Sequence, residues 1–382
     1  MAKRSARSGS RRRAANGTGW ARGSAPSGRA AAVLLERTEK RANPPIESAP
    51  AAAPAPVYED DGGFEGGECP ACSDPAYQVL FEATDRLYRS TKKKFRIVEC
   101  TRCGLMRLAH RPGAFDFSRY LPQGHRVPPE ETAACCIERF CRRLVTKDNL
   151  RFVRRALNDA GEAGPVLDFG CDGELLLGAL RREGIGAFGV GPGLAEAAAI
   201  AARTGAPEVC ASIADSPFPA NSCAAITMFH VLEHRGDPFV YVVAARELLR
   251  PGGRLIVQVP NAACWQCLLL GENWSGFDVP RNLVHFRAGD IQALLEACDF
   301  EIVRRKFFAL QDNPACLATS LAPWLDPVVR RARGVAEQAA IKFAKDLLYC
   351  ALVIAAVPFA LLEAACRAGS TVTIEARKRA ER

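Results

Sequence analysis

The sequence predicts an α/β protein built on a doubly wound parallel sheet, with a small cysteine-bounded module in front of it. Three observations lead there. After residue 165, short apolar runs alternate with helical stretches, the pattern of successive βαβ units. Upstream, two Cys-x2-Cys pairs lie 27 residues apart. Apolar residues make up 48% and charged residues 24% of 382 positions. That excludes a wholly disordered, collagenous or many-span membrane chain.

In chain order, residues 1–66 come first, rich in Ala, Arg, Ser, Gly and Pro and short of large apolar side chains. They bury too little surface to offset ordering entropy and are expected to form a disordered basic tail. The first 35 residues hold no acid, which also fits an organellar transit peptide. Residues 1–42 carry 11 Lys or Arg against 2 acids, so the whole net charge of +9 sits there. The remainder is balanced, so no specific nucleic-acid partner is expected. No apolar signal-peptide core opens the sequence, and reducing, cytoplasmic surroundings are expected.

Residues 67–110 read as the module. Cys69-Pro-Ala-Cys72 and Cys100-Thr-Arg-Cys103-Gly104 are two knuckles, each placing two thiolates on one side of a turn. Together they make a tetrahedral four-sulfur site for structural zinc, with Cys69, Cys72, Cys100 and Cys103 as ligands. Four sulfurs leave no open coordination position, so the metal staples a unit too small to hold a core. β-like runs at Tyr77–Phe81 and Phe95–Val98 lie between the knuckles. A third pair, Cys264-x2-Cys267, has no partner pair and reads as coincidence.

Residues 111–160 form a helical linker, amphipathic over 130–160. Strands are expected at Val166–Phe169, Ala187–Val190, Ala225–Phe229, Leu255–Val259, Phe300–Phe307 and Ser370–Glu375. Helices are expected at Leu175–Arg182, Leu194–Arg203 and Val240–Leu249. The run from Val166 to Leu175 carries Gly170 and Gly173 between strand and helix, where backbone N–H groups and missing Cβ atoms admit a ligand.

Several stretches then match one family in order: ECPAC and ECTRCGL, VLDFGC, PFPANSCAAITMFHVLEH, RELLRPGGRLIVQVPN, and WSGFDVPRNLVHF followed by LLEACDFEIV. Over about residues 68–310 and the closing STVTIEARK, the sequence resembles the class I S-adenosylmethionine-dependent methyltransferases, in the bacterial group with an N-terminal four-cysteine knuckle. The resemblance implies a Rossmann-like seven-stranded sheet of order 3-2-1-4-5-7-6 with strand seven antiparallel. It implies S-adenosylmethionine as cofactor, framed by Asp168, Gly170, Cys171 and Gly173, with Phe229 and His230 near its methionine end. His234 of LEH and His285 of PRNLVHF are the candidate catalytic, acceptor-side groups. Trp274 and Phe277 would wall the acceptor or cover the sheet, and Asp278 and Arg281 would fix their loop.

The sequence departs from the family pattern where the cofactor binds. Asp172-Gly173-Glu174 stands where the family has Gly-x-Gly, Gly191 replaces the ribose carboxylate, Ser212 the acid near adenine, and Cys223-Ala224 a Phe-Asp pair. These departures support the alternative of a catalytically lapsed binding or scaffold protein.

The core, 161–310, is followed by a helical excursion at 311–369 and a final strand and tail at 370–382. The excursion joins a basic amphipathic stretch, Val328 to Lys345, to sixteen uncharged residues, Leu347–Leu362. A spanning helix needs about 20 apolar residues, and Pro358 is expected to break this one. The expectation is therefore peripheral membrane contact through 328–362, with Arg330, Arg331, Arg333, Lys342 and Lys345 at the headgroups, or a helical hairpin packed on protein. The function expected is methylation of a small or lipid-linked acceptor.

Overall fold

The computed structural model describes residues 68–109, 120, 133–161, 164–170, 174–191, 208–210, 213 and 216–379. Among them lie two sheets.

The larger sheet has seven strands. They are β4 (Val166–Phe169), β5 (Ala187–Gly191), β6 (Glu208–Cys210), β7 (Cys223–Phe229), β8 (Leu249–Pro260), β10 (Phe300–Lys306) and β11 (Thr371–Lys378). Their order is β10-β11-β8-β7-β4-β5-β6. β4 through β8 run parallel, and β11 lies antiparallel between β8 and β10. This is the order the resemblance implied, read from the other edge. β7 is buried along nearly its whole length, as expected of a parallel strand covered on both faces.

One face is covered by α1 (Ala133–Ala160) and α2 (Glu174–Arg182), through Val153, Ala156, Leu176, Leu177 and Leu180. The other face carries α3 (Pro238–Leu248) and α5 (Ala288–Ala297), through Phe239, Val242, Ile291 and Leu295. Pro238 suits the first turn of α3, where no helical N–H is needed. Between these helices come a 3₁₀ turn, Leu232–His234, and α4 (Trp265–Leu270). The helix expected at 194–203 lies outside the described residues.

The smaller sheet has the order β1-β2-β3-β9, all antiparallel: β1 (Tyr77–Thr84), β2 (Lys94–Cys100), β3 (Met106–Leu108) and β9 (Val284–His285). The first three strands belong to the cysteine module, but β9 comes from the core. Met106 pairs with His285 and Arg107 with Val284. A strand from the core therefore completes the sheet of the module. One contiguous cluster of buried apolar side chains joins Ile97, Met106 and Leu108 to Val284 and Phe286.

The excursion consists of α6 (Asp312–Leu321), α7 (Pro327–Ala332) and α8 (Ala339–Ala365). Asp326 starts α7 by accepting from Val328 and Val329 N–H at 2.8 and 3.2 Å, with Pro327 at the first position. Two expectations are corrected here. Pro358 does not break the helix: α8 runs continuously through it for 27 residues. Pro358 lies on the exposed side, and the opposite side packs on α6, which holds both halves in line. Nor are the basic residues all turned to solvent. Arg330 is buried and paired with Glu337 and Asp346, Lys345 pairs with Glu337, and Arg333 donates to the Arg86 and Leu87 carbonyls. Burying Arg330 without those acids would cost several kcal/mol, about 3–5 for a broken buried pair.

Candidate functional site

Open α/β sheets bind ligands beyond the carboxyl ends of their strands, and three described segments meet there. The first is the turn after β4. Gly170 has φ of 130°, and a Cβ there would lie 3.0 Å from Val231 Cγ2 and 3.8 Å from the Phe229 carbonyl oxygen. Only glycine suits that backbone angle and that approach. Asp168, one strand position from the turn, is buried and accepts from the Thr227 hydroxyl on β7. Cys171 and Gly173 lie outside the described residues, as do Asp172 and Ser212. Gly191 closes β5 opposite Cys210, so β5 itself ends without a carboxylate.

The second segment follows β7. Phe229 is partly buried, and His230 bends the chain with φ of 54°. Its Nδ1 lies 3.0 Å from Glu233 Oε1. Its Nε2 lies 3.3 Å from Asp312 Oδ2, at the start of α6, and 3.0 Å from Gln258 Nε2 on β8. Gln258 also donates to Asp312 at 2.7 Å and accepts from the Thr373 hydroxyl at 3.0 Å. Burial alone would push the His230 pKa down, but the hydrogen bonds and charges of Asp312 and Glu233 raise it well above the usual value. The His230 side chain is 29% exposed, whereas Glu233 is buried.

The third segment is the loop between α4 and β9. The His234 Nδ1 and the Arg281 carbonyl oxygen lie 3.0 Å apart, and Leu283 N–H donates to the Glu233 carbonyl at 2.7 Å. These bonds bring the LEH and PRNLVHF motifs together. Arg281 is buried and forks onto Asp85 of the module at 2.7 and 3.2 Å, onto Asp278 at 2.7 and 2.9 Å, and over the Tyr88 ring at 4.3 Å. Burial would raise the Asp85 carboxyl pKa, but Arg281 outweighs it and holds it below the ordinary range.

His285 is fully enclosed, its ring edge-on to Phe277 at 5.1 Å. Burial pushes its pKa down to about 3. Its Nε2, Asn282 Oδ1 and Glu233 Oε2 are buried without a hydrogen-bond partner, a costly state that a bound polar group would relieve. Trp274 and Phe277 are both buried, and Phe277 packs edge-on against Phe81 and Trp274.

The cysteines of the module converge as their spacing implies. The ligand atoms of Cys69, Cys72, Cys100 and Cys103 all lie within 4.8 Å of one another. Cys69 and Cys103 sulfurs are 3.5 Å apart, as are those of Cys72 and Cys100. Backbone bonds shape the knuckles: Ser73 N–H to the Cys69 carbonyl at 2.8 Å, and Gly104 N–H to the Cys100 carbonyl at 2.9 Å, with Gly104 at φ of 77°. The hydrogen bond with Cys103 lowers the Cys69 pKa to about 5, while burial pushes Cys72 up to about 12. A cation at the centre would let all four ionise, so the donor set fits a metal ion. Cys264 serves the core instead, where its sulfur accepts the Cys267 N–H at 3.2 Å and caps α4.

What sequence reasoning missed is the acid set around His230. Glu233 was visible in the LEH motif, but Asp312 lies 82 positions from His230, and only the placement of α6 reveals it.

Residues 139–305 match the methyltransferase-domain family. With the sheet order above, the chain carries a class I S-adenosylmethionine-dependent methyltransferase domain. Among curated proteins it is similar to a ubiquinone biosynthesis O-methyltransferase of Xanthomonas axonopodis pv. citri, 30% identical over 146 residues, covering 36% of this chain and 60% of that one. The protein of the same description from Xylella fastidiosa is 37% identical over 105 residues, 25% of this chain and 42% of that one. The chain thus spans less than two thirds of those relatives. Among solved structures, an S-adenosylmethionine-dependent methyltransferase from Archaeoglobus fulgidus aligns over 61% of this chain and 94% of its own, with 14% identity and a TM-score of 0.39.

Proposed function

We propose that this chain is an S-adenosylmethionine-dependent methyltransferase that methylates a hydroxyl of an amphiphilic, lipid-linked or small acceptor. The observation that carries the reading is the contact between the turn after β4 and the segment after β7 at the carboxyl edge. The space a Cβ on Gly170 would fill is bounded by Val231, the residue after His230. A cofactor turn and a polar acceptor-side cluster are therefore neighbours. The O-methyltransferase descriptions of the curated relatives support an oxygen acceptor.

Gly170 and the start of α2 would hold the cofactor, with Phe229 beside it. When bound, S-adenosylmethionine supplies an electrophilic methyl group on a sulfonium. The chain's own part is to orient the acceptor against the methyl group. His230 suits contact with the acceptor better than His234 or His285. Glu233 at Nδ1 and Asp312 at Nε2 favour the protonated ring, so His230 would donate to and orient the acceptor oxygen at the partly open edge. His234 fastens the Arg281 loop, and His285 is enclosed. Zinc is the ion proposed for the four cysteines, in a structural role.

A second reading is favoured by one feature, Gly191 closing β5: a scaffold that keeps the fold without turnover. Transfer of radiolabel from methyl-labelled S-adenosylmethionine into the solvent extract of a bacterial membrane fraction separates the two. The methyltransferase reading expects label in an extractable acceptor, lost in His230→Gln. Absence of label from both membrane and soluble extracts, with folded zinc-loaded protein, contradicts it.

A further inference from the structure

Within the excursion helix α8 an 18-residue stretch has mean hydropathy 2.2, yet only 17% of that stretch is buried. Its inner side is bound to protein by polar links. Thr319 and Tyr349 hydroxyls lie 2.9 Å apart, Tyr349 donates to Asp326 at 3.2 Å, and buried Glu363 accepts Gln266 N–H at 2.9 Å. Its outer side carries Phe343, Leu347, Ile354 and Leu361, flanked by Leu348 and Leu362, all exposed; Ile354 is 69% exposed. The neighbouring helix α4, joined to α8 through Trp265 against Phe359, adds Leu268 and Leu269, the latter 71% exposed. Trp324, at the turn after α6, is exposed as well.

We propose that this surface rests in one leaflet of an anionic lipid bilayer, with α8 lying in the interfacial plane. Three features select lipid over a second copy of the chain. The exposed apolar residues spread over about 140° of the helix at about 3.6 residues per turn. A two-helix seam needs a narrower stripe, whereas acyl chains conform to a wide one. The leucines of α4 widen the patch beyond a single helix. The apolar run is bracketed by exposed cations, Lys342 at one end and Arg367 at the other, with none between 347 and 362, which suits headgroups at both ends.

By length and composition α8 could cross a membrane, but its contacts favour the interfacial position. The uncharged run measures about 24 Å at about 1.5 Å per residue, short of a hydrocarbon core of about 30 Å. One full side of the helix is committed to α6. That helix also begins at Asp312, beside His230, so docking brings the carboxyl edge to within one helix of the bilayer surface. This deepens the proposed function by favouring a lipid-linked acceptor, but the docking itself does not depend on turnover.

The test is flotation of the full zinc-loaded chain with vesicles of 30% phosphatidylglycerol in phosphatidylcholine and of phosphatidylcholine alone, each at low salt and at half-molar salt. The proposal expects salt-resistant flotation on both, several-fold stronger on the anionic vesicles. The triple substitution Leu347→Asp, Ile354→Asp, Leu361→Asp should abolish the salt-resistant part, with zinc content and melting temperature kept. Ile354→Trp guards against misfolding of the triple variant: its emission should shift to the blue on vesicles and be quenched by brominated acyl chains. Flotation that salt removes entirely, or that survives the triple substitution, overturns the proposal and assigns binding to the basic residues 1–42. A stable dimer in solution that Leu347→Asp dissociates, with no vesicle binding, also overturns it in favour of a second copy. Loss of cofactor binding with flotation intact would sink the methyltransferase reading alone.

Discussion

The four-cysteine sheet and the α6–α8 excursion are both additions to the same seven-stranded core, and they are attached in opposite ways. The cysteine sheet is fused to the core through backbone and side chain alike. Its third strand pairs with β9, and Asp85 is buried against Arg281. The excursion is fastened along one side and leaves the other bare. The difference teaches that an added segment should be judged by what its unattached face is made of. The module presents to the core a backbone edge and a carboxylate, both satisfied there. The excursion presents leucines that the described chain never covers.

The largest expected effect breaks the module. Cys72→Ser should lose the metal and cost at least about 5 kcal/mol, since structural zinc contributes about 10–16 kcal/mol in isolated fingers. Metal analysis and denaturant unfolding check it, and β9 should loosen with it, read as faster hydrogen exchange at Val284 and His285. Unchanged exchange at β9 would show that the two sheets are independent.

Next comes the joint between them. Arg281→Ala leaves Asp85 buried and uncompensated, at a cost of about 3–5 kcal/mol. The pH dependence has a definite sign. Asp85 is held below its unfolded value, so its contribution is present above about pH 3.9 and fades as pH falls further. Arg281→Ala should remove that acid-side loss.

His285 sharpens the comparison in a different window. Its pKa falls from about 6.5 when unfolded to about 3 when folded. Between those values the unfolded chain binds the extra proton, so stability declines as pH drops from about 6.5 towards 3. His285→Gln should flatten that decline in urea midpoints measured across the range. A slope unchanged by the substitution would mean the ring is not enclosed as described.

The smallest effect is expected on the bare face. Leu347→Ser or Ile354→Ser should change stability by no more than about 0.5 kcal/mol, as for exposed positions generally. A loss of about 2 kcal/mol or more, the scale of a buried leucine, would mean the face is covered in solution.

Much of the core was legible because parallel strands buried on both faces are written as continuous apolar runs. Val166–Phe169 coincides with β4, and Phe300–Phe307 exceeds β10 by one residue. The cysteine spacing likewise forecast a convergent cluster. Two-residue β9 carries no periodicity, so its pairing with β3 could not be read. Pro358 misled because its local cost is real, yet an exposed proline in a helix held by α6 is tolerated. The partners of His230 come from β8 and α6, and no local pattern encodes their meeting.

The turn at Gly170 is expected to receive the cofactor even though β5 ends on Gly191 rather than on a carboxylate. Calorimetric titration of the full zinc-loaded chain with S-adenosylmethionine and with S-adenosylhomocysteine tests it most directly, with Gly170→Val alongside. Micromolar binding of both ligands is expected, and its loss in the variant, whose side chain meets Val231. Folded, zinc-loaded protein that binds neither ligand would contradict it.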